Sequence, residues 1–208
     1  AFIEHWSGQA LTLENASRTI PQALEHSLDM TRIFLPEETG CRTDEQGFSY
    51  ERTDWFNEWQ VGQPFQDMPG LMSFVGREIE RLNAWKPSDP AAALAELMGW
   101  KARFGQTVLH ASWDGEPLQD AYIRIGLEWF SWLYAEDAGL LRRWIDASHA
   151  ALMRRLQSEA GCRAVSPVAW LFADIAYKNS LLFSPGFLRS LGFFQRIAEI
   201  CDLYHSFS

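Results

Sequence analysis

The chain has 208 residues, 47% of them hydrophobic, which is enough to bury a sizeable core as one domain or as part of a larger one. Its net charge of −9 argues against a nucleic-acid partner, because phosphate binding favours basic surfaces. No apolar run approaches the roughly 20 residues of a membrane span, and three scattered cysteines favour reduced thiols. We therefore expect a cytoplasmic protein with no membrane contact.

The first third of the chain changes from helical to β-like character. Residues 12–30 have a helical pattern in which Pro21 is expected to begin a second segment, and residues 31–35 resemble a short strand. Residues 37–65 alternate short aromatic and polar runs between glycines, which is typical of a small hairpin or meander. We therefore predict a β-rich insert over about residues 37–65.

The remainder alternates helices with apolar strands. Apolar residues recur at helical spacing from Leu71, and Asp89-Pro90 is a typical start for the next helix, which is expected to end at Gly105. The later predicted elements are a strand over 107–111, a loop over 112–117, helices over 118–133 and from Asp137 to Gly161, a strand over 168–173 and a last helix.

This order of elements indicates an α/β fold with parallel strands. The later strands are unbroken apolar runs, as expected for strands that are covered on both faces. A closed (β/α)8 barrel needs about 250 residues and eight strands. The chain is therefore long enough for about half of such a barrel or for a small open sheet. We predict that residues 1–208 form a single, incomplete barrel domain. A start without Met and an end directly after a helix also fit an N-terminal fragment of a longer protein.

Polar side chains follow two of the predicted strands. In parallel α/β folds, ligand-binding groups come from the loops at the carboxyl ends of strands. Side chains at the ends of neighbouring strands are therefore expected to meet at one cavity. The candidate substrate-binding and catalytic residues are His110, Trp113, Asp114, Asp174, Tyr177, Lys178 and Asn179.

Asp174 and Lys178 are the sharpest pair among these residues. If the turn after the strand is helical, their four-residue spacing puts them on one side. Asp174 is then the candidate catalytic proton acceptor and Lys178 a carboxylate ligand, although a salt bridge that closes the loop fits equally well. His110 lies inside an apolar strand, where a satisfied core residue is commoner than a catalyst. Trp113 and Asp114 fit either a substrate loop with a stacking face or a plain turn.

Several common catalytic motifs are absent. The sequence contains no GxGxxG, GxxxxGK[ST] or GxSxG, which argues against a dinucleotide fold, a P-loop and a hydrolase elbow. It has no HxH, no HExxH and no His/Cys cluster, so we expect no metal site within this chain.

Two stretches carry a resemblance to a known family. Residues 173–206, ADIAYKNSLLFSPGFLRSLGFFQRIAEICDLYHS, resemble a segment of uroporphyrinogen decarboxylase-like proteins. In that segment a strand ends in an Asp-rich loop, and Ser-Pro leads into a helix that ends near a His-Ser sequence. Residues 110–137, HASWDGEPLQDAYIRIGLEWFSWLYAED, are similar to the family's preceding strand, substrate loop and long helix. The resemblance covers about residues 90–208.

The resemblance implies a partial TIM-type (β/α)8 barrel with Asp174, Tyr177 and Lys178 at its mouth, opposite the loop that follows His110. The family includes a cofactor-free decarboxylase of tetrapyrrole acetate groups. It also includes methyltransferases that move methyl groups between corrinoid proteins and thiols, usually with zinc. The decarboxylases' arginine-rich motif near the N-terminus is absent here, which favours the methyltransferase branch. For decarboxylation, Lys178 and Arg32 are the candidate cations for the substrate's carboxylates.

We therefore expect an enzyme that acts on a tetrapyrrole, a corrinoid-linked molecule or a methylated small molecule. No cofactor is expected within this chain, whereas the full-length parent would use zinc or a corrinoid if it transfers methyl groups. The alternative is a non-catalytic ligand-binding barrel with the same mouth. Because half a barrel leaves strand edges unpaired, we also expect the isolated chain to form homodimers or aggregates.

Overall fold

The computed structural model describes residues 2–33, 35–110, 112–166 and 168–207, without the side chains of residues 112, 113, 163, 164 and 177. The helices are α1 (Phe2–Ser7), α2 (Ala16–Glu25), α3 (Met68–Ala84), α4 (Pro90–Phe104), α5 (Pro117–Ile125), α6 (Leu127–Ser158), α7 (Ala160–Val165), α8 (Pro185–Ser190) and α9 (Phe193–His205). The strands are β1 (Met30–Thr31), β2 (Gly40–Thr43), β3 (Ser49–Arg52), β4 (Glu58–Gly62), β5 (Val108–Leu109), β6 (Ser112–Gly115), β7 (Ala169–Phe172), β8 (Ala176–Tyr177) and β9 (Ser180–Leu181).

The N-terminal helix differs from the sequence prediction. Pro21 lies inside the single helix α2 instead of starting a second helix. A proline inside a helix removes one backbone hydrogen bond, and Pro21 lies on the buried face of α2 with Ile20 and Ala23. The strand predicted over residues 31–35 is only the two-residue β1, and its fourth position, Phe34, lies outside the described residues.

The predicted β-rich insert is a three-stranded antiparallel sheet in the order β2-β3-β4. Phe48, in the turn between β2 and β3, is fully buried. Its ring meets the ring of Phe74 on α3 edge-on, with 5.3 Å between the ring centroids. One aromatic side chain therefore joins the insert to the helical layer.

The helix termini follow the local rules that the sequence predicts. Asp89 caps α4 by accepting a hydrogen bond from the Ala91 N–H at 3.0 Å, and the helix ends at Gly105, whose φ is 53°. The helix predicted over 118–133 is divided at Gly126, which has a φ of 82°. The expected break at Asp137 is a non-helical residue, with φ −147° and ψ 82°, inside α6.

Two parallel strand pairs confirm the α/β class. β1 pairs with β5 across the insert, α3 and α4, and β6 pairs with β7 across α5, α6 and α7. The loop predicted over 112–117 is wrong for its first four residues, which form β6. Hydrogen bonding to the distant strand β7 overrides the local turn preference of Asp114-Gly115.

The described strands form four small separate sheets rather than a closed barrel. The larger hydrophobic core joins the insert to α3, α5, α6, α8 and α9, and a smaller cluster joins Leu97, Phe104, Leu109 and Cys162. Among the described helices, none combines the length and the apolar character needed to cross a membrane.

Candidate functional site

β6 and β7 end at the same level of their sheet. Gly115 lies opposite Phe172, and the Glu116 N–H donates to the Phe172 carbonyl oxygen at 3.0 Å. The expected pairing of the strand over residues 107–111 with β7 is wrong, because β6 takes that place and β5 lies in a separate sheet with β1. Leu171 lies opposite Asp114, while Leu109 pairs with Thr31.

Asp174 follows β7 and is attached to α5 through its backbone. Its N–H donates to the side-chain oxygen of Gln119, and its carbonyl oxygen accepts a hydrogen bond from the Tyr122 hydroxyl. Its side chain is exposed. α5 therefore fixes the chain at the end of β7 while leaving the Asp174 carboxylate at the surface.

The predicted relation between Asp174 and Lys178 is wrong. The segment after Asp174 is the hairpin β8–β9, in which Tyr177 pairs with Ser180 and the exposed Lys178 and Asn179 form the turn. Cross-strand pairing replaces the helical turn that would have placed Asp174 and Lys178 on one face. Within the described ranges no ion pair joins them. The side chain of Tyr177 lies outside the description.

His110 stacks on Trp170 of β7, with ring centroids 5.8 Å apart and an interplanar angle of 17°. Burial, assisted by the charge of Arg32, lowers the pKa of His110 and favours its neutral form. Trp113 pairs with Trp170 through the backbone, and its side chain is outside the described part.

Asp114 is buried, and both of its carboxylate oxygens have partners. Oδ1 forms an ion pair with Arg155 of α6, and Oδ2 accepts a hydrogen bond from the Tyr204 hydroxyl of α9 at 2.8 Å. Asp114 thus holds two helices to the strand and places the Arg155 guanidinium.

Two acids at the start of α5 were missed by the sequence analysis. Glu116 is fully buried and caps the helix by accepting a hydrogen bond from the Leu118 N–H at 2.7 Å. Its other carboxylate oxygen accepts a hydrogen bond from Arg196 Nε at 2.7 Å. Asp120 lies one turn later, directly against the end of β6, since a Cβ added to Gly115 would overlap its carboxylate. The spacing Glu-Pro-x-x-Asp, a capping acid followed by a second acid on the same face, was the available signal.

Asp120 is accessible to solvent and has a raised pKa. Its side chain presents accessible surface to a cavity, yet protein atoms crowd around its carboxyl group. Burial, followed by the charge of Glu116, raises the pKa of Asp120 to about 6. Burial and the charges of Asp174 and Asp120 likewise raise the pKa of Tyr122 to about 12. Asp120 can therefore gain or lose a proton near neutral pH, whereas Tyr122 keeps its proton.

The cavity faced by Asp120 has a volume of about 750 Å³ and is open to solvent. The β2–β3 turn, α3, α5 and α6 surround it. Its polar wall includes Asp44, Glu45, Gln46, Glu78, Arg81, Asp120, Arg124, Ser148 and Arg155, and its apolar wall includes Leu82, Trp85, Ala121, Trp144, Ala151 and Leu152.

Three arginines line this cavity, and each is held by a carboxylate. Arg81 pairs with Glu78 at 2.6 Å, Arg124 with Asp44 at 2.7 Å, and Arg155 with Asp114. Asp120, by contrast, forms no ion pair with any described residue. The cavity therefore contains three arginines that are paired with carboxylates and, in Asp120, a carboxyl group outside these ion pairs.

Within the described ranges, no three His, Cys, Asp or Glu side chains lie close enough together to hold a metal ion. The polar groups of the cavity are paired arginines and carboxylates, which suit an organic ligand better.

Comparison with known proteins identifies no relative of this chain. No family model matches the chain, and neither a curated protein nor a solved structure matches it.

Proposed function

We propose that the chain is part of a uroporphyrinogen decarboxylase-like enzyme that removes carboxyl groups from a tetrapyrrole-type acid, with Asp120 as the proton donor. One observation carries this proposal. Asp120 has a pKa of about 6 and faces a cavity that three arginines line. A carboxyl group that is protonated in part of the molecules near neutral pH is suited to general acid catalysis.

The proposed chemistry needs a proton at the substrate ring. Asp120 would protonate a ring carbon of the pyrrole that bears the acetate group, which makes the ring an electron acceptor. The bond between the carboxylate carbon and the side chain then breaks, CO₂ leaves, and the bonding electron pair neutralises the ring. A proton from solvent completes the new methyl group, and loss of the ring proton regenerates Asp120. Removing the acid is expected to slow such a step by about 100-fold or more.

The arginines supply the cations that decarboxylation requires. Lys178 and Arg32 were expected in this role, but neither belongs to the cavity wall. Arg81, Arg124 and Arg155 take their place as candidate ligands of the substrate's carboxylates, since guanidinium groups bind carboxylates through paired hydrogen bonds. Trp85 and Trp144 contribute ring surface to the same wall.

The architecture supports a partial barrel as part of the same proposal. The two parallel strand pairs are connected by helical crossovers, and β6 and β7 end beside Asp120. In barrels of this type the catalytic groups follow the carboxyl ends of the strands.

The test is turnover of a reduced octacarboxylate tetrapyrrole by the full chain, with loss of carboxyl groups followed by mass spectrometry. Asp120→Asn should abolish turnover while retaining substrate binding. Asp146→Asn, which alters an exposed acid of α6 away from the cavity, should leave turnover unchanged. Equal turnover by the Asp120→Asn variant and the unaltered chain would refute the role of Asp120. Tight binding without turnover by the unaltered chain would favour the alternative of a non-catalytic binding protein.

Methyl transfer remains a second candidate, because the absence of the decarboxylases' arginine-rich motif favours it. Demethylation of a methylated substrate without release of CO₂ would support this candidate over decarboxylation.

A further inference from the structure

The turn between β2 and β3 forms one wall of the cavity, and Asp44 holds it with two separate oxygens. Oδ1 organises the turn by accepting the N–H groups of Gln46 at 2.9 Å and Phe48 at 3.0 Å. Oδ2 faces α5, where it accepts a hydrogen bond from Arg124 at 2.7 Å. One oxygen therefore shapes the turn, and the other attaches it to the helix.

Arg124 is the centre of this attachment. Besides Asp44, its guanidinium donates to the side-chain oxygen of Gln46 and to the Tyr50 hydroxyl, and it lies 4.0 Å from the centroid of the Phe48 ring. Burial raises the pKa of Asp44, but hydrogen bonds from Arg124 and Phe48 outweigh it, so the net pKa is below the usual value. Asp44 is therefore a carboxylate anion bound to a cavity arginine.

We propose that Asp44 occupies the subsite at Arg124 that receives a carboxylate of the substrate, so that the ligand's carboxylate displaces the Asp44 side chain from Arg124. The inference depends on the proposed function, because it assumes a carboxylate substrate in this cavity. The internal carboxylate demonstrates that Arg124 can bind such a group there. The substrate class is accordingly an organic acid that carries its carboxylate on a side chain able to reach Arg124.

The exposure of the pair makes this exchange feasible. The side chains of Arg124 and Asp44 are 28% and 20% exposed, so water can solvate Asp44 as it leaves. The pair formed by Arg196 and Glu116 is 5% and 0% exposed, and separating it would strand a buried charge. Of these two ion pairs, only the Asp44–Arg124 pair is suited to ligand exchange.

Asp44→Asn separates the two functions of Asp44. The amide oxygen still accepts the N–H groups of Gln46 and Phe48, while the amide nitrogen no longer pairs with Arg124.

The probe is indole-3-acetate, a fused pyrrole ring with an acetate group, and indole-3-acetamide is its neutral counterpart. Asp44→Asn should bind indole-3-acetate about three- to tenfold more tightly than the unaltered chain, because competition from one partly exposed ion pair is removed. Binding of the acetamide should not change.

Hydrogen exchange of residues 44–48 provides a readout of the loss of the Asp44–Arg124 contact. Indole-3-acetate should accelerate exchange there in the unaltered chain, and in Asp44→Asn exchange should already be fast without ligand. Glu58→Gln, which alters the insert's pairs with Arg42 and Arg52 outside the cavity wall, should leave indole-3-acetate affinity unchanged. Equal affinities of Asp44→Asn and the unaltered chain, with binding intact, would overturn the displacement and leave the proposed function standing. Failure of both the unaltered chain and Asp44→Asn to bind indole-3-acetate would refute the proposal that the cavity binds carboxylates.

Discussion

Asp120 is a residue whose chemistry is set by its surroundings rather than by its type. An aspartate ordinarily loses its proton well below neutral pH, at about 3.8. Here burial and the charge of Glu116 move that pKa to about 6, because both disfavour a second negative charge at the start of α5. A group tuned in this way stabilises the fold when protonated and weakens it when ionised.

The pH dependence of stability should therefore reveal Asp120. The pKa is higher in the folded chain than in the unfolded chain, so its favourable contribution is complete below about pH 4 and is lost as the pH rises through about 6. Asp120→Asn, which cannot ionise, should be more stable than the unaltered chain at pH 8 by about 1 kcal/mol, a value reduced for solvent screening in the open cavity. Below pH 4 the two should coincide.

Urea denaturation of Asp120→Asn and the unaltered chain at pH 4, 6 and 8 measures this difference. Asp146→Asn, an exposed acid on α6, is the control and should show no trend. A pH-independent gap between Asp120→Asn and the unaltered chain would indicate a packing effect and contradict the raised pKa.

At the scale of elements, one buried ion pair joins α9 to the start of α5. Arg196 donates to Glu116 at 2.7 Å and also to the carbonyl oxygen of Leu191, so the last helix is fixed beside the end of β6. Glu116 is simultaneously the N-cap of α5. Any change in this pair therefore reaches Asp120, one helical turn away.

Arg196→Met should destabilise the chain by about 3–5 kcal/mol at neutral pH, because it leaves the buried Glu116 charge without its partner. The double variant Glu116→Gln and Arg196→Met should recover a large part of this loss, since it leaves no unpaired charge. Chemical denaturation of the unaltered chain, Glu116→Gln, Arg196→Met and the double variant measures both effects. Two single losses that simply add in the double variant would mean that the ion pair contributes no coupling.

Local chemistry predicted those elements whose signals are contained in a few residues. Asp89-Pro90 begins a helix because capping and the fixed φ of proline act within one turn. The insert also follows its short alternating pattern. Residues 112–115 look like a loop because Asp114-Gly115 favours a turn, and only β7, more than 50 residues later, makes them a strand. A rule that uses only neighbouring residues cannot predict the pairing of β6 with β7.

The candidate site shows the same limit. Asp174 was selected because it follows a strand, and its backbone does lie against α5. Asp120 was missed because its distinguishing properties are the burial, the charge of Glu116 and the cavity around it. The burial and the cavity depend on elements that are distant in sequence, such as the insert turn and α6, whereas Glu116 lies only four residues before Asp120. Residue type and spacing pointed to the end of β7 but not to the acid that faces the cavity.

At the scale of the whole molecule, the parallel strands have open edges. β1 with β5 and β6 with β7 form separate two-stranded sheets within the described ranges, so each strand there has one neighbour. Edge strands of this kind favour pairing with another chain. Trp170 on β7 is also 44% exposed and adds apolar surface beside an open edge.

The chain should therefore self-associate with increasing concentration, which sedimentation velocity measures. Trp170→Lys should weaken this association, because a lysine places a charge on the open edge of β7 and removes apolar surface. Trp59→Lys is the matched change on β4 of the insert, whose Trp59 is 62% exposed, and it should have little effect if the parallel sheets are responsible. The reverse order of effects would assign the association to the insert. A monomer that persists at high concentration and unfolds cooperatively would mean that the open edges are protected, and the incomplete-barrel interpretation would then lose its main physical consequence.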